Sequence, residues 1–295
     1  MSDELSEFKG IVVALQANFL EVEIVSPKYA RLLCTRRSRL DYHGSFVNVG
    51  DFVRLESIDW KESRAVISDV APRESWLSRP PVANVTVIVV TLSLKHPTFD
   101  LDQASRFLLT AEQTGLDVGL LLTKSDLISC NQIQTQLTRL QKWGYKPLAV
   151  SARTGAGLQL VNDLLKGSQI AVFCGPSGVG KSSLLNKLLP EESIRVGELS
   201  GRLQRGRHTT RHVELFSISS GTRVADTPGF NRPEIDIAPQ NLACLFPEVR
   251  SQLKLGSCKF RNCLHINEPG CAIAKNWERY FFYKTLVGQL INSRH

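Results

Sequence analysis

The sequence predicts a multi-domain protein, in which a small OB-like β-barrel precedes an α/β domain and a mainly helical C-terminal domain. Three observations predict this order. Residues 8–70 contain five short β-rich runs, residues 82–236 alternate between strand-like and helix-like segments, and residues 237–295 are helix-like around a cysteine-rich insert. The chain of 295 residues is long enough for two or three such domains.

The N-terminal domain is predicted over residues 1–72. Its β-rich runs are GIVVALQ, FLEVEIV, YARLLCTR, DFVRLES and SRAVISDV, with turn-forming segments such as VNVGD between them. Five short strands in this length favour a closed barrel. The OB-fold is the favoured type, and an SH3-like barrel is the alternative that the pattern leaves open. Residues 73–81, which contain prolines and arginines, are predicted to be a linker.

The α/β domain is predicted over residues 82–236. Its strand-like runs are VTVIVVTLS, DVGLLLT, KPLAVSA and QIAVFC, and amphipathic segments separate them. This alternation predicts a mostly parallel sheet that is covered by helices on both faces. The helical C-terminal domain follows at residues 237–295, with a last helix over about 276–291.

Composition excludes several classes of protein. The apolar fraction of 42% and the charged fraction of 22% are ordinary for a soluble globular protein. No apolar run reaches the ~18 residues of a membrane span, and the acidic start, MSDELSEFKG, lacks the features of a secretion signal. Seven mostly scattered cysteines do not form a disulfide framework. We therefore expect a cytoplasmic protein without membrane association, and a monomer by default.

A phosphate-binding loop is the strongest motif in the chain. Residues 175–182, GPSGVGKS, match GxxxxGK[ST] between a strand-like run and a helix. The loop amides would cradle phosphate oxygens, Lys181 would reach the β- and γ-phosphates, and Ser182 would bind magnesium. The residues predicted to bind nucleotide here are Gly175, Pro176, Ser177, Gly178, Val179, Gly180, Lys181, Ser182 and Ser183.

Two segments downstream suit magnesium and the γ-phosphate. Asp226 begins DTPG at the end of a strand-like run, where a Walker-B carboxylate holds magnesium, and Gly229 can present its N–H to the γ-phosphate. Thr209 and Thr210 lie between the two motifs in GRHTT, in the position of a switch I threonine, with Thr210 as the predicted magnesium ligand. A plain turn and a polar loop are the alternatives.

The base would be recognised upstream of the phosphate loop. The TKSD segment follows the strand DVGLLL and matches TKxD, whose carboxylate pairs with guanine N1–H and N2–H; the SA segment follows KPLAV and suits contact with guanine O6 through backbone N–H. Both follow strands at the sheet edge where α/β proteins bind ligands. This pair favours GTP over ATP. The predicted residues are Thr123, Lys124, Ser125, Asp126, Ser151 and Ala152.

A cysteine-histidine cluster predicts a metal site. Cys258, Cys263, His265 and Cys271 supply three thiolates and one imidazole, a set that suits a closed, structural zinc site. The spacing differs from the common CxxC finger, and chance proximity is the alternative.

Positive charge predicts a polyanionic partner. The net charge is +8, and residues 195–212 contain five arginines and two histidines against one glutamate. Such a stretch suits nucleic acid, because cations placed near phosphates release counterions. A solvated loop explains the charge equally well.

The motif order TKSD, SA, GPSGVGKS, GRHTT, DTPG resembles that of the circularly permuted GTPases, and most closely the RsgA (YjeQ) family, over nearly the whole chain. The resemblance implies a GTPase that is stimulated by the small ribosomal subunit and acts in its late maturation. It implies GTP/GDP with magnesium, one structural zinc whose motif spacing matches this chain, binding to rRNA, and release on hydrolysis. One departure is Thr123, where the family more often has asparagine. We expect weaker nucleotide binding with guanine preference retained.

The catalytic set is incomplete in the sequence. Phe230 stands where Ras-like enzymes place a water-orienting glutamine, and the resemblance makes His208 in GRHTT the candidate substitute. Contact of His208 with RNA or solvent is the alternative. We expect slow intrinsic hydrolysis that a partner accelerates by ordering residues 195–212.

Two other functions compete with this interpretation. The first is an RNA-binding assembly factor gated by GTP, in which hydrolysis is incidental. The second is a small-molecule P-loop kinase, which explains neither TKSD nor the cysteine cluster.

Overall fold

The structure is a computed structural model that describes residues 10–16, 19–24, 29–37, 46–189, 213–218, 221–226 and 233–293. These residues belong to two compact units. The first unit takes its described residues from 1–87, 162–173 and 181–231, and the second from 88–161, 174–180 and 232–295.

A closed five-stranded barrel forms the N-terminal part of the first unit, with the strand order β1-β2-β3-β5-β4. The β3–β5 pair is parallel, and the other neighbouring pairs are antiparallel. This is the arrangement of an OB-fold, so the predicted OB-like barrel is confirmed. The strands are β1 (Gly10–Leu15), β2 (Leu20–Ile24), β3 (Ala30–Arg36), β4 (Phe52–Asp59) and β5 (Arg64–Val70).

Alternating side chains of these strands fill the barrel, because successive residues of a strand face opposite sides. The buried strand residues are Val12, Leu20, Val22, Ile24, Leu32, Cys34, Val53, Leu55, Ala65 and Ile67, and Val47, just before β4, joins them. Glu23 is an exception to this pattern. It lies on the outer side of β2, yet it is only 2% exposed.

A short hairpin follows the barrel, made of β6 (Trp76–Ser78) and β7 (Pro81–Ala83). The segment predicted to be a linker, 73–81, thus contains β6 and the first residue of β7, and the hairpin extends beyond it to Ala83. The side-chain amide of Asn84 donates to the carbonyl oxygen of Gly50 at 2.9 Å. The backbone N–H of Ala83 donates to the carbonyl oxygen of Val49. These bonds fasten the segment to the barrel.

The α/β part contains six strands in two groups of neighbours, one group in each unit. In the second unit the neighbours are β10-β9-β8, and in the first unit they are β11-β13-β12. The pairs β9–β10 and β11–β13 are parallel, and β12 runs antiparallel to β13. The strands are β8 (Val87–Ser93), β9 (Asp117–Thr123), β10 (Pro147–Ala149), β11 (Ile170–Cys174), β12 (Leu215–Ser217) and β13 (Arg223–Asp226).

Helices alternate with these strands, as the sequence predicts. They are α1 (Leu101–Glu112), α2 (Cys130–Lys142), α3 (Leu158–Leu165) and α4 (Lys181–Leu188). Local capping fixes where two of them begin: Asp100 accepts the N–H of Gln103 at the start of α1, and Ser129 and Gln132 form a capping box at the start of α2.

The C-terminal part of the second unit is mainly helical, which confirms the predicted class. A 3₁₀ helix (Pro239–Leu245), α5 (Pro247–Leu253) and α6 (Tyr280–Asn292) bury an apolar core against Leu109 of α1. Arg250 of α5 bonds Glu112 of α1 at 2.6 Å. Among the described residues, none of the helices combines the length and apolar character that crossing a bilayer requires.

Candidate nucleotide site and metal centre

The phosphate loop connects the end of β11 to Lys181, the first residue of α4. Gly175 has φ +144°, and a Cβ there would overlap the carbonyl oxygen of Thr91, so a side chain is sterically excluded. Gly178 and Gly180 also have positive φ. The loop therefore keeps the tight backbone and the helix N-terminus that phosphate binding requires. Lys181 is 9% exposed.

The TKSD segment holds this loop directly. The hydroxyl of Thr123 lies 2.6 Å from the carbonyl oxygen of Val179 and 3.0 Å from that of Leu92. The ammonium of Lys124 donates to the carbonyl oxygen of Gly178 at 2.8 Å and also to that of His96. Two segments more than fifty residues apart in the sequence thus meet at one place.

Asp126 lies in a 3₁₀ turn, Ser125–Leu127, that follows β9. Its Oδ1 accepts a hydrogen bond from the Ser151 hydroxyl at 2.6 Å, and its Oδ2 accepts one from Nε of Arg153 at 2.8 Å. The hydroxyl of Ser151, and to a smaller extent the Arg153 guanidinium, holds the pKa of Asp126 below its ordinary value. The carboxylate is therefore ionised and ready to accept hydrogen bonds at neutral pH.

The SA segment uses its two residues differently. The N–H of Ser151 donates to the carbonyl oxygen of Ala156, and the Ser151 hydroxyl accepts the N–H of Thr154 at 3.2 Å. Within the described part of the chain, the amide of Ala152 makes no hydrogen bond. The geometry thus makes Ser151 a support for Asp126, and the Ala152 amide has no partner among the described residues.

Asp226 ends β13 in the first unit and pairs in register with Phe173 of β11. Because the two strands are parallel, Asp226 lies at the same strand end from which the phosphate loop departs. The remaining predicted residues of the γ-phosphate region, His208, Thr209, Thr210 and Gly229, lie outside the described residues.

The cysteine-histidine cluster, a candidate metal centre, lies in the second unit. One ligand atom from each of Cys258, Cys263, His265 and Cys271 falls within 4.8 Å of all the others. Nδ1 of His265 lies 3.4 Å from both the Cys258 and the Cys271 sulfur. Tetrahedral zinc, with Zn–S of about 2.3 Å and Zn–N of about 2.0 Å, separates its ligands by roughly 3.5–3.8 Å. The arrangement therefore fits a four-coordinate ion.

The loop that carries these ligands is fixed from two sides. The Glu268 carboxylate accepts the N–H groups of Leu264 and Ile266 at 2.8 and 2.9 Å. The hydroxyl of Tyr283 on α6 donates to the carbonyl oxygen of Leu264 at 2.6 Å. Burial raises the pKa of the Cys263 thiol to about 12, so a metal would have to displace its proton.

Arg153 is the residue at this site that sequence reasoning missed. The available signal was its position directly after the SA segment, but a basic side chain there has no unique partner in the sequence. Its bond to Asp126 joins residues 27 apart in the sequence. The roles of Ser151 and Lys124 as supports, rather than as contacts to the ligand alone, also required the structure.

In chain order, the segments that would recognise the base precede the phosphate loop that they hold. This order on an α/β sheet defines a circularly permuted P-loop GTPase. A profile of the RsgA GTPase family matches residues 70–236. The chain belongs to the RsgA GTPase family.

Curated relatives support this membership. The small ribosomal subunit biogenesis GTPase RsgA of Prochlorococcus marinus (strain MIT 9303) is 58% identical, over 97% of this chain and 94% of the relative. The protein of the same name from Parasynechococcus marenigrum (strain WH8102) is 59% identical, over 95% of each chain.

Solved structures are similar over the same extent. The crystal structure of YjeQ from Thermotoga maritima has a TM-score of 0.77 and 30% identity, over 96% of this chain and 98% of that one. The structure of YloQ, a circularly permuted GTPase, has a TM-score of 0.79 and 28% identity, over 97% and 95% of the two chains.

Proposed function

We propose that this protein hydrolyses GTP during late maturation of the small ribosomal subunit, and that it binds rRNA and leaves the subunit on hydrolysis. The observation that carries the proposal is the bond between Thr123 and Val179, together with that between Lys124 and Gly178. These contacts place a guanine-type TKxD segment against a phosphate loop. The names of the relatives supply the ribosomal part of the proposal.

Recognition of guanine rests on Asp126 and Ala152. The carboxylate of Asp126 accepts guanine N1–H and N2–H, and the Ala152 amide, which has no partner within the described residues, suits guanine O6. Adenine presents a different set of donors and acceptors at these atoms, so the site favours guanine. Ser151 orients the carboxylate through its 2.6 Å bond.

Hydrolysis requires positioning and charge neutralisation more than covalent chemistry. The loop amides of residues 175–180 and Lys181 hold the phosphates, and Ser182, Thr210 and Asp226 are the side chains that would hold magnesium. Magnesium, when bound, neutralises charge on the β- and γ-phosphates. Gly229 offers its N–H to the γ-phosphate, and His208 is the candidate that orients the attacking water.

The metal that we assign to the cysteine-histidine centre is one zinc ion. Three thiolates and one imidazole are ligands that zinc prefers, and all four coordination positions are filled, so its role is structural. It would stabilise the loop that packs against α6.

The partner surfaces are the barrel, the zinc module and the basic segment 195–212. The arginines of that segment flank the threonines expected to meet magnesium, so contact with rRNA would order the segment and accelerate hydrolysis. The protein would work as a monomer in the cytoplasm.

GTP turnover with and without purified small subunits tests the proposal. We expect small subunits to stimulate the wild-type protein at least about tenfold, as partners that complete a GTPase site do. Purified large subunits should not stimulate it. Lys181→Ala should have strongly reduced turnover in both conditions, and His208→Ala should keep nucleotide binding but lose stimulated turnover. Equal turnover with and without small subunits would favour a GTP-gated assembly factor in which hydrolysis is incidental.

A further inference from the structure

We propose that Arg153 is a gate on the base site, because its guanidinium binds the Asp126 carboxylate that guanine has to bind. Guanine nucleotides would then enter only when Arg153 leaves. The inference rests on the proposed function, in which Asp126 recognises guanine.

Both oxygens of Asp126 have protein partners. The Ser151 hydroxyl donates to Oδ1 at 2.6 Å, and Nε of Arg153 donates to Oδ2 at 2.8 Å. Ser151 is fully buried, and its hydroxyl also accepts the N–H of Thr154, so this partner is fixed. Arg153 is therefore the partner that can be displaced.

The chemistry of the two competing groups is the same. The N1–C2–N2 edge of guanine is a planar guanidine-like unit with N–H donors that point in one direction, and the arginine head group is a guanidinium. Either one satisfies an ionised carboxylate. Arg153 thus presents to Asp126 the donor pattern by which guanine would be recognised, whereas adenine offers no such edge.

The Arg153 side chain can be displaced from Asp126 because it is exposed to solvent. Its side chain is 74% exposed, against 10% for that of Asp126, and among the described residues its guanidinium has no other partner. An exposed ion pair of this kind is weak and is screened by salt. The base site would be open for part of the time, and the apparent affinity for guanine nucleotide falls by that fraction. We expect a two- to fivefold reduction, about the range of exposed ion pairs.

A titration with mant-GDP tests the gate. Arg153→Met removes the guanidinium but keeps an apolar stem of similar length, and an exposed side chain can be replaced without loss of the fold. We expect it to bind mant-GDP about two- to fivefold more tightly than the wild type at low salt. The difference should disappear at high salt, because only the wild type has an ion pair to screen.

Two further variants separate the gate from other effects. Lys146→Ala removes one positive charge just before β10, at the opposite end of that strand from Ser151, and should leave the affinity unchanged. Asp126→Asn should weaken mant-GDP binding at least about 100-fold. In that background Arg153→Met should have no effect, because the acceptor of the ion pair is gone.

The outcomes distinguish the two hypotheses. Unchanged GDP affinity in Asp126→Asn would contradict the proposed base site itself. If Asp126→Asn weakens binding but Arg153→Met equals the wild type or binds more weakly, the base site stands and the gate is overturned. The gate would also be overturned if Arg153→Met still bound mant-GDP more tightly than the wild type at high salt. It would be overturned as well if Arg153→Met tightened binding in the Asp126→Asn background.

Discussion

Nη2 of Arg223 in β13 lies 2.9 Å from Oε1 of Glu23, a residue on the outer side of the barrel strand β2. The Ser217 hydroxyl donates to the same oxygen at 2.9 Å, and the Tyr29 hydroxyl donates to Oε2 at 3.0 Å. The Glu23 side chain is only 1% exposed. A buried carboxylate of the barrel is thus the anchor for a strand that ends, three residues later, at Asp226.

Glu23→Gln should destabilise the protein by about 2–3 kcal/mol, because removing one partner of a buried ion pair leaves the other charge without compensation. The Arg223 side chain is 17% exposed, so water still solvates part of its charge, and the expected loss lies at the low end for a broken buried ion pair. Urea unfolding measures it. The matched control is Glu56→Gln in β4, whose side chain is 39% exposed beside Arg37 and which should cost under about 1 kcal/mol. Equal losses in the two variants would contradict a special role for Glu23.

Thr123 has one hydroxyl proton between two carbonyl oxygens, those of Val179 and Leu92. Thr123→Val should weaken mant-GDP binding about tenfold, because two buried acceptors lose their donor. Thr123→Asn should bind at least as tightly as the wild type, since an amide carries two protons. The control is Thr91→Val, because the buried Thr91 hydroxyl has no partner among the described residues and should be dispensable. A similar loss in both valine variants would refute the bridging role.

Lys181→Ala should lower the turnover of GTP by about 100- to 1000-fold, the usual effect of removing one preorganised charge from a reacting phosphate. The control is Lys187→Ala, an exposed lysine on the same helix, α4, which should hydrolyse GTP like the wild type. Steady-state phosphate release measures both. A comparable loss in Lys187→Ala would point to damage to the helix instead of loss of a phosphate contact.

Cys263→Ser should abolish the binding of one equivalent of zinc and lower the melting temperature of the purified protein. Cys263 is 4% exposed, and a metal bound only in the folded state contributes its binding energy to folding. Metal analysis and thermal unfolding measure the two effects. Cys244→Ser, at an exposed cysteine of the same C-terminal part, should change neither. Retention of full zinc content in Cys263→Ser would show that the zinc binds elsewhere.

Short-range patterns were enough to predict the fold class and to select the segments of the candidate site. The barrel strands follow from alternation of apolar residues, the phosphate loop from glycines between a strand and a helix, and the metal set from four ligands within a short segment. Each of these signals lies within a short stretch of the chain, eight residues for the phosphate loop and fourteen for the metal set, so it can be recognised without knowledge of distant contacts. The predicted start of α6 was less accurate: it was expected near residue 276 and lies at Tyr280, because the N-cap residue, Arg279, makes no side-chain capping bond that would mark it.

Only the tertiary structure decided which distant side chains meet. Arg153 on Asp126, Arg223 on Glu23 and Thr123 on Val179 join residues that are 27, 200 and 56 positions apart. An arginine or a threonine is compatible with many partners, and the sequence does not rank them. Packing of the folded chain brings one particular acceptor within hydrogen-bond distance of each donor and buries it. The choice of partner is therefore made by the tertiary structure.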